Sequence, residues 1–211
     1  MVRILDKKMV ELAISKIPRP QGLKRRLEQY PTPSWIVAHV VWKAFMNGDV
    51  EAKAVADLGC GDGRLLYASF LLGARLGLCV EVDEEAVKHA VSVLNSHFSE
   101  YVPRAVFIVA DASQLSLFNV DTVIMNPPFG VVKENRGLDV AFLRRALQYA
   151  RSVYSIHKYS PGLLKILEDL ARSYNFVIGS TEILGFDIPM VFETHRSRIY
   201  RFKSLFIVLR R

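Results

Sequence analysis

The chain is expected to fold as an α/β protein: a seven-stranded, mostly parallel sheet covered by helices on both faces, closed by an antiparallel final hairpin. Three features predict this. From Ala54 onward, short apolar runs alternate with amphipathic stretches of helical period. A glycine turn, Asp57-Leu58-Gly59-Cys60-Gly61-Asp62-Gly63, joins the first apolar run to the first of those helices. The chemically distinctive residues all fall at carboxyl ends of apolar runs, where open α/β sheets bind ligands. At 211 residues the chain suits one domain with a sizeable core. Residues 1–50 are expected to form a helical extension contributing to the ligand site.

The extension carries two helical patterns, Ile4 to Ile17 and Pro33 to Met46, with Thr32 placed to cap the second and Pro33 in its first turn. The first strand, Ala54-Val55-Ala56, leads through the glycine turn into a helix from Arg64 to Leu72. Gly77 to Val82 reads as a buried strand whose Glu81 lies about 20 residues beyond the turn, the spacing of a carboxylate that grips ribose hydroxyls. Asp83 caps the next helix, which places Val87, Ala90, Val91, Leu94 and Phe98 on one face, so Glu81 is the better ribose ligand. The third strand, Ala105 to Val109, ends in Asp111-Ala112; Asp111 either accepts from an adenine amine or closes a turn. The fourth, Asp121 to Met125, runs into Asn126-Pro127-Pro128-Phe129. Asp139 to Ala150 is helical, with Val140, Leu143, Leu147 and Ala150 on one face. Val153 to Ile156 is a strand with a structural His157 at its end, and Pro161 to Ser173 is a helix. Phe176 to Ile183 and Phe202 to Leu209 form the closing pair.

The turn spacing is Gly-x-Gly-x-Gly, unlike the Gly-x-Gly-x-x-Gly of dinucleotide binders. Gly59 and Gly61 let the backbone approach a ligand closely. Asp57 would repel a pyrophosphate and suits a cationic ligand such as the ammonium or sulfonium of S-adenosylmethionine. Asn126-Pro127-Pro128-Phe129 offers two carbonyl oxygens, from the Asn126 side chain and the Pro127 backbone, beside one flat ring. That set suits a planar NH2 group. Alone, two prolines merely end a strand; after the glycine turn, the acidic strand end and Asp111, they complete the layout of a Rossmann-like class I methyltransferase.

Composition narrows the partners. The net charge is +7. Arg19, Lys24, Arg25 and Arg26 cluster early; His195, Arg196, Arg198, Arg201 and Lys203 cluster late, before Arg210 and Arg211. Such patches suit phosphate backbones, although a solvated basic surface gives the same pattern. Arg196, Arg198, Arg201 and Lys203, between the last two strands, are the expected RNA-binding residues. No apolar stretch is long enough for a bilayer, and no apolar signal core opens the chain, so a cytoplasmic protein is expected. Cys60 and Cys79 have no metal-ligand spacing and are expected as separate reduced thiols; no metal site is expected.

Glu28-Gln29-Tyr30-Pro31-Thr32, Asp57-Leu58-Gly59-Cys60-Gly61, Val123-Ile124-Met125-Asn126-Pro127-Pro128-Phe129-Gly130, Ala141-Phe142-Leu143 and Val153-Tyr154-Ser155-Ile156-His157-Lys158 occur in this order. Together they resemble the small-subunit ribosomal RNA adenine-N6 methyltransferases of archaea and eukaryotes, from about Leu27 to Pro189. The resemblance implies S-adenosylmethionine as cofactor and adenosine in ribosomal RNA as acceptor. It assigns cofactor contacts to Gln29, Thr32, Gly59, Asp62, Arg64, Glu81, Asp111 and Ala112, beside Asp57 and Gly61 of the turn. Asn126, Pro127, Pro128 and Phe129 become the catalytic motif, with Phe129 stacking on the base. The family commonly has Asp where Glu81 stands, and its eukaryotic members work with a small zinc-binding activator protein. Transfer to protein glutamine or guanine N2, and a non-catalytic RNA-binding subunit of the same fold, remain open readings at this point.

Overall fold

The computed structural model describes residues 6–116, 119–189 and 199–211. Two helices precede the sheet. Helix α1 (Lys7–Ser15) starts where Asp6 accepts a hydrogen bond from the Met9 N–H at 2.7 Å. Helix α2 (Ser34–Met46) is apolar on most sides, and six of its residues, from Ile36 to Ala44, are buried. The core then follows in order: β1 (Ala54–Leu58), α3 (Arg64–Leu71), β2 (Leu76–Glu81), α4 (Glu84–His97), β3 (Ala105–Val109), β4 (Thr122–Met125), α5 (Leu138–Tyr149), β5 (Ser152–Lys158), α6 (Leu163–Ser173), β6 (Val177–Pro189) and β7 (Ile199–Arg210).

The seven strands form one sheet of order β3-β2-β1-β4-β5-β7-β6. The first five are parallel; β7 inserts antiparallel between β5 and β6, as the sequence pattern predicts. Strands β1 and β4 are buried throughout because both their faces are covered. Residues of α1 to α4 pack together in one core layer, and those of α5 and α6 in the other. The chain winds outward from β1 to β3, then crosses back to β4 and β5. The crevice at this reversal lies over the carboxyl ends of β1 and β4. Two motifs more than sixty positions apart thereby become neighbours, since Asp57 pairs with Ile124.

Two expectations are corrected. Thr32 does not cap α2: Pro33 occupies the cap position without a side-chain hydrogen bond, and the Thr32 hydroxyl is used elsewhere. Cys60 and Cys79 are not separate thiols but a disulfide, with Cα atoms 5.4 Å apart. The glycine turn folds back over β2, with the N–H groups of Gly59 and Cys60 both donating to the Val80 carbonyl, at 2.8 and 3.2 Å. That fold-back places Cys60 above Cys79, a proximity the linear spacing does not reveal.

Candidate active site

A cavity of about 240 Å³ lies over the crevice. Its floor is the glycine turn. Gly59 sits at φ 74°, and a Cβ there would approach Phe142 Cε1 to 3.0 Å; Gly63, at φ 81°, faces the Tyr67 ring with no room for a side chain. Both positions thus require glycine for conformation and for space. Gly61 lines the cavity, and its N–H donates to Glu81 Oε2 at 3.0 Å while Glu81 Oε1 accepts from the Asp83 N–H at 3.0 Å. The Glu81 carboxylate is thereby aimed from the end of β2 into the cavity, although burial raises its pKa.

Asp62 and Arg64 also line it, as a buried ion pair at 2.6 Å, with Arg64 reaching the Ile17 carbonyl at 3.4 Å. Asp57 behaves differently. It is 1% exposed, lies beneath the turn rather than in the cavity wall, and neither carboxylate oxygen has a hydrogen-bond partner. Burial, then the Glu81 and Asp62 charges, raise its pKa well above the aspartate norm. Direct contact between Asp57 and a ligand in the cavity is therefore not supported by its placement. Its field is another matter. Three buried carboxylates, Asp57, Asp62 and Glu81, lie around one guanidinium, and burial raises the pKa of each, so a cation bound beside them would favour their charged forms. The donor set fits a cation-bearing cofactor with ribose hydroxyls, as S-adenosylmethionine has.

Asp111 and Ala112 line the cavity at the end of β3. Asp111 Oδ1 accepts from the Ser113 N–H at 2.8 Å and hydroxyl at 2.7 Å, closing a turn. Gln29 lines it too, but its amide bridges Lys24 N–H (2.8 Å) and Asp83 Oδ2 (2.7 Å). Asp83 caps α4 as expected, accepting from the Glu85 N–H at 3.2 Å. It also pairs with Lys24 at 2.5 Å. Burial opposes ionisation of Asp83, but the hydrogen bonds from Lys24 and Gln29 outweigh it and lower the pKa. Lys24 thus anchors the extension rather than contributing to a basic patch.

Asn126 and Pro128 reach the cavity from the end of β4. The Asn126 amide N–H2 donates to the Thr32 hydroxyl at 3.0 Å, while its Oδ1 is buried without a hydrogen-bond partner. A buried carbonyl oxygen left unpaired costs about 1–3 kcal/mol, so such an atom in a cavity-lining residue marks a place where a donor belongs. Pro127 and Phe129 do not line the cavity. The Phe129 ring is 8% exposed and packs against Phe202 (5.1 Å), Phe186 (5.5 Å) and Tyr30 (5.7 Å). Phe186 and Phe202 belong to the β6–β7 pair, so the catalytic-motif loop rests on the hairpin base.

Of the expected RNA-binding residues, Arg196 and Arg198 lie outside the described residues. Arg201 and Lys203 are exposed on β7, Arg201 pairing with Asp187 of β6 at 3.4 Å. His157 is fully buried, as a structural histidine should be, between Asp139 Oδ2 (2.9 Å) and the Ser155 hydroxyl (2.8 Å). Sequence reasoning gave no role to Glu28. Held in the left-handed region at φ 51°, it accepts from the Val132 N–H (2.8 Å) and the Asn135 amide (3.2 Å), tying the extension to the loop after Phe129. Nothing in local sequence signals that conformation. Phe142, over Gly59, was legible only as part of a motif.

A glycine turn after β1, an acidic end to β2 and Asn-Pro-Pro-Phe after β4, around one cavity, define an S-adenosylmethionine-dependent methyltransferase of the class I fold. The chain belongs to the methyltransferase small-domain family, whose model matches residues 39–154. It is 32% identical to the rRNA N6-adenosine-methyltransferase METTL5 of Danio rerio, over 90% of this chain and 92% of that one. It is 44% identical to the corresponding Drosophila melanogaster enzyme over 140 residues, 64% of each chain. A crystal structure from Pyrococcus horikoshii, provisionally assigned as an RNA methyltransferase, superposes with a TM-score of 0.86 at 34% identity, covering 99% of this chain and 98% of that one. Among the described residues, no helix is long and apolar enough to cross a membrane.

Proposed function

We propose that this protein methylates N6 of an adenosine in ribosomal RNA, that of the small subunit, with Asn126 as the group that holds the amine. The observation that carries the reading is the Asn126 amide: its nitrogen tied to Thr32, its oxygen buried and unpaired, in a residue that lines the cavity. The names of the relatives support the same reaction on the same class of substrate.

S-adenosylmethionine, when bound, supplies an electrophilic methyl group on a sulfonium. Glu81 would accept from its ribose hydroxyls, Asp111 and Ala112 would flank its adenine, and Gln29, Gly59, Gly61, Asp62 and Arg64 would enclose the remainder. Asp57, beneath the turn, would act through its charge. On the acceptor side, an aromatic amine is a poor nucleophile because its lone pair is delocalised into the ring. Asn126 Oδ1 and the Pro127 carbonyl would accept its two hydrogens, drawing the nitrogen toward sp3 and turning the lone pair to the methyl group. Pro128 would bear on the plane of the base, and Phe129, packed among Tyr30, Phe186 and Phe202, would brace the loop that carries it. Positioning of this kind supplies most of the acceleration such a transfer needs. No side chain has to act as base beforehand, since the proton can leave the more acidic product amine afterwards. The target base must be unpaired or flipped into the cavity. The same reading places the protein in the cytoplasm and extends to a small zinc-binding activator.

The test is transfer of labelled methyl groups to purified small-subunit ribosomal RNA, followed by nucleoside analysis, with Asn126→Ala alongside. Label in N6-methyladenosine from the wild type alone is the expected result. Label in another nucleoside, or none with or without the activator, would remove the proposal.

A further inference from the structure

A second groove, of about 630 Å³, lies beside the cavity. The two share Pro20, Gly22, Leu23, Pro31, Thr32 and Arg64, and Thr32 is the residue bonded to Asn126. The groove therefore reaches the residue that is bonded to the amide. Its other wall is formed by Arg19, by Trp35 in the first turn of α2, and by Asp187 at the base of the β6–β7 pair.

Trp35 is 40% exposed, although α2 is otherwise buried along Ile36, Val37, Ala38, Val40 and Val41. An indole left in the open beside a reactive centre is a stacking platform, and base–aromatic stacking does not depend on sequence. Arg19 is exposed and makes no ion pair among the described residues. The carboxylate in that wall, Asp187, is offset by Arg201 at 3.4 Å. Arg201 and the neighbouring Lys203 continue the positive charge onto the hairpin. A cation, an open aromatic face and hydroxyls from Ser15 and Ser34 make a lining suited to a nucleotide rather than to an apolar peptide.

We propose that this groove is a subsite for the unpaired nucleotide next to the target adenosine, its base stacked on Trp35 and its phosphate facing Arg19. The proposal rests on the reading of the protein as an RNA adenosine methyltransferase. A strand that passes over Thr32, which borders both spaces, would bring the neighbouring base to the groove, where stacking would offset part of the cost of keeping the target base unstacked. The groove also gives a role to an arginine and a tryptophan of the extension that lie outside the quoted motifs.

The probe is an unstructured oligouridylate carrying one central adenosine, followed by the fluorescence of Trp35 in a Trp42→Phe background and by equilibrium affinity. The indole emission should be quenched on binding. Trp35→Ala should weaken binding about tenfold, within the range of a single stacked base, and Trp35→Phe should recover most of it. Arg19→Ala should reduce the salt dependence by about one phosphate contact. With abasic residues on both sides of the adenosine, wild type and Trp35→Ala should bind equally. An unquenched indole, or equal affinities with intact neighbours, overturns the subsite. Methylation of ribosomal RNA separates the two readings. N6-methyladenosine formed by Trp35→Ala at the wild-type kcat/KM leaves the function standing and removes the subsite. Quenching without any N6-methyladenosine from the wild type keeps the RNA groove and removes the adenosine reaction.

Discussion

Thr32→Val takes away one hydroxyl and almost no volume, and so isolates what that hydroxyl does for Asn126. In the wild type it accepts from the Asn126 nitrogen at 3.0 Å, and the residue is 8% exposed, so water does not readily replace it. Without it the amide nitrogen is left unpaired in the orientation that the wild type holds. An unpaired buried donor costs about 1–3 kcal/mol, and that cost falls on the reactive orientation. At 1.36 kcal/mol per factor of ten, kcat should fall by between about 5-fold and about 160-fold. Loss of Asn126 itself should cost more, about 10²–10³-fold, by comparison with other preorganised hydrogen-bonding groups. Thr32→Ser, which keeps the hydroxyl, should return to within a few-fold of wild type. The assay is single-turnover methyl transfer to ribosomal RNA at saturating cofactor, with S-adenosylmethionine affinity measured separately by calorimetry. A fall in kcat with unchanged cofactor affinity supports the positioning role. Unchanged kcat, or a loss confined to cofactor affinity, refutes it and returns Thr32 to the purely cofactor-contacting role implied by family resemblance.

Asn126→Ala should lower transfer by about 10²–10³-fold while leaving cofactor affinity within a few-fold, and a large loss of affinity in the same titration would mean that the amide serves the cofactor instead. Asp57 is buried without partners, and its raised pKa means the folded protein holds a proton more tightly than the unfolded chain does. Its charged form therefore destabilises the cofactor-free fold above the folded pKa, and this cost disappears as pH falls toward the ordinary aspartate value. Asp57→Asn should accordingly raise the melting temperature at neutral pH, by an amount that shrinks on acidification, and should weaken S-adenosylmethionine binding; a variant less stable than wild type at neutral pH contradicts this account. Replacing Arg201 and Lys203 by Ala should lower the slope of log affinity against log salt by about 1 for each phosphate no longer neutralised, and an unaltered slope would put the RNA elsewhere. Reducing the Cys60–Cys79 bond, whose partners are 19 positions apart, should cost about 3 kcal/mol of stability on the chain-entropy model, read from denaturant midpoints with and without a reductant.

The sequence by itself determined the sheet and the two poles of the site. The strand and helix runs are legible because burial imposes period two, period 3.6 or continuous apolarity on the residues themselves, and β1 to β7 appear where those patterns put them. Glu81, Asp111 and Asn126 were legible for the same reason: each follows immediately on such a run, and strand ends in an open parallel sheet face the ligand crevice. What only the tertiary structure decided is how the pieces are shared out between that crevice and the framework around it. Asp57 is adjacent to the glycines in sequence but lies under them, because the turn folds back onto the Val80 carbonyl. The same fold-back joins Cys60 to Cys79. Thr32 looks like a helix cap from its neighbours and instead holds the amide of a residue 94 positions away. Lys24 looks like part of a basic patch and is committed to Asp83. Phe129 reads as a free stacking ring and packs among Tyr30, Phe186 and Phe202. Each of these depends on long-range contacts, which leave no periodicity in the local sequence and arise only when the extension and the hairpin close on the sheet.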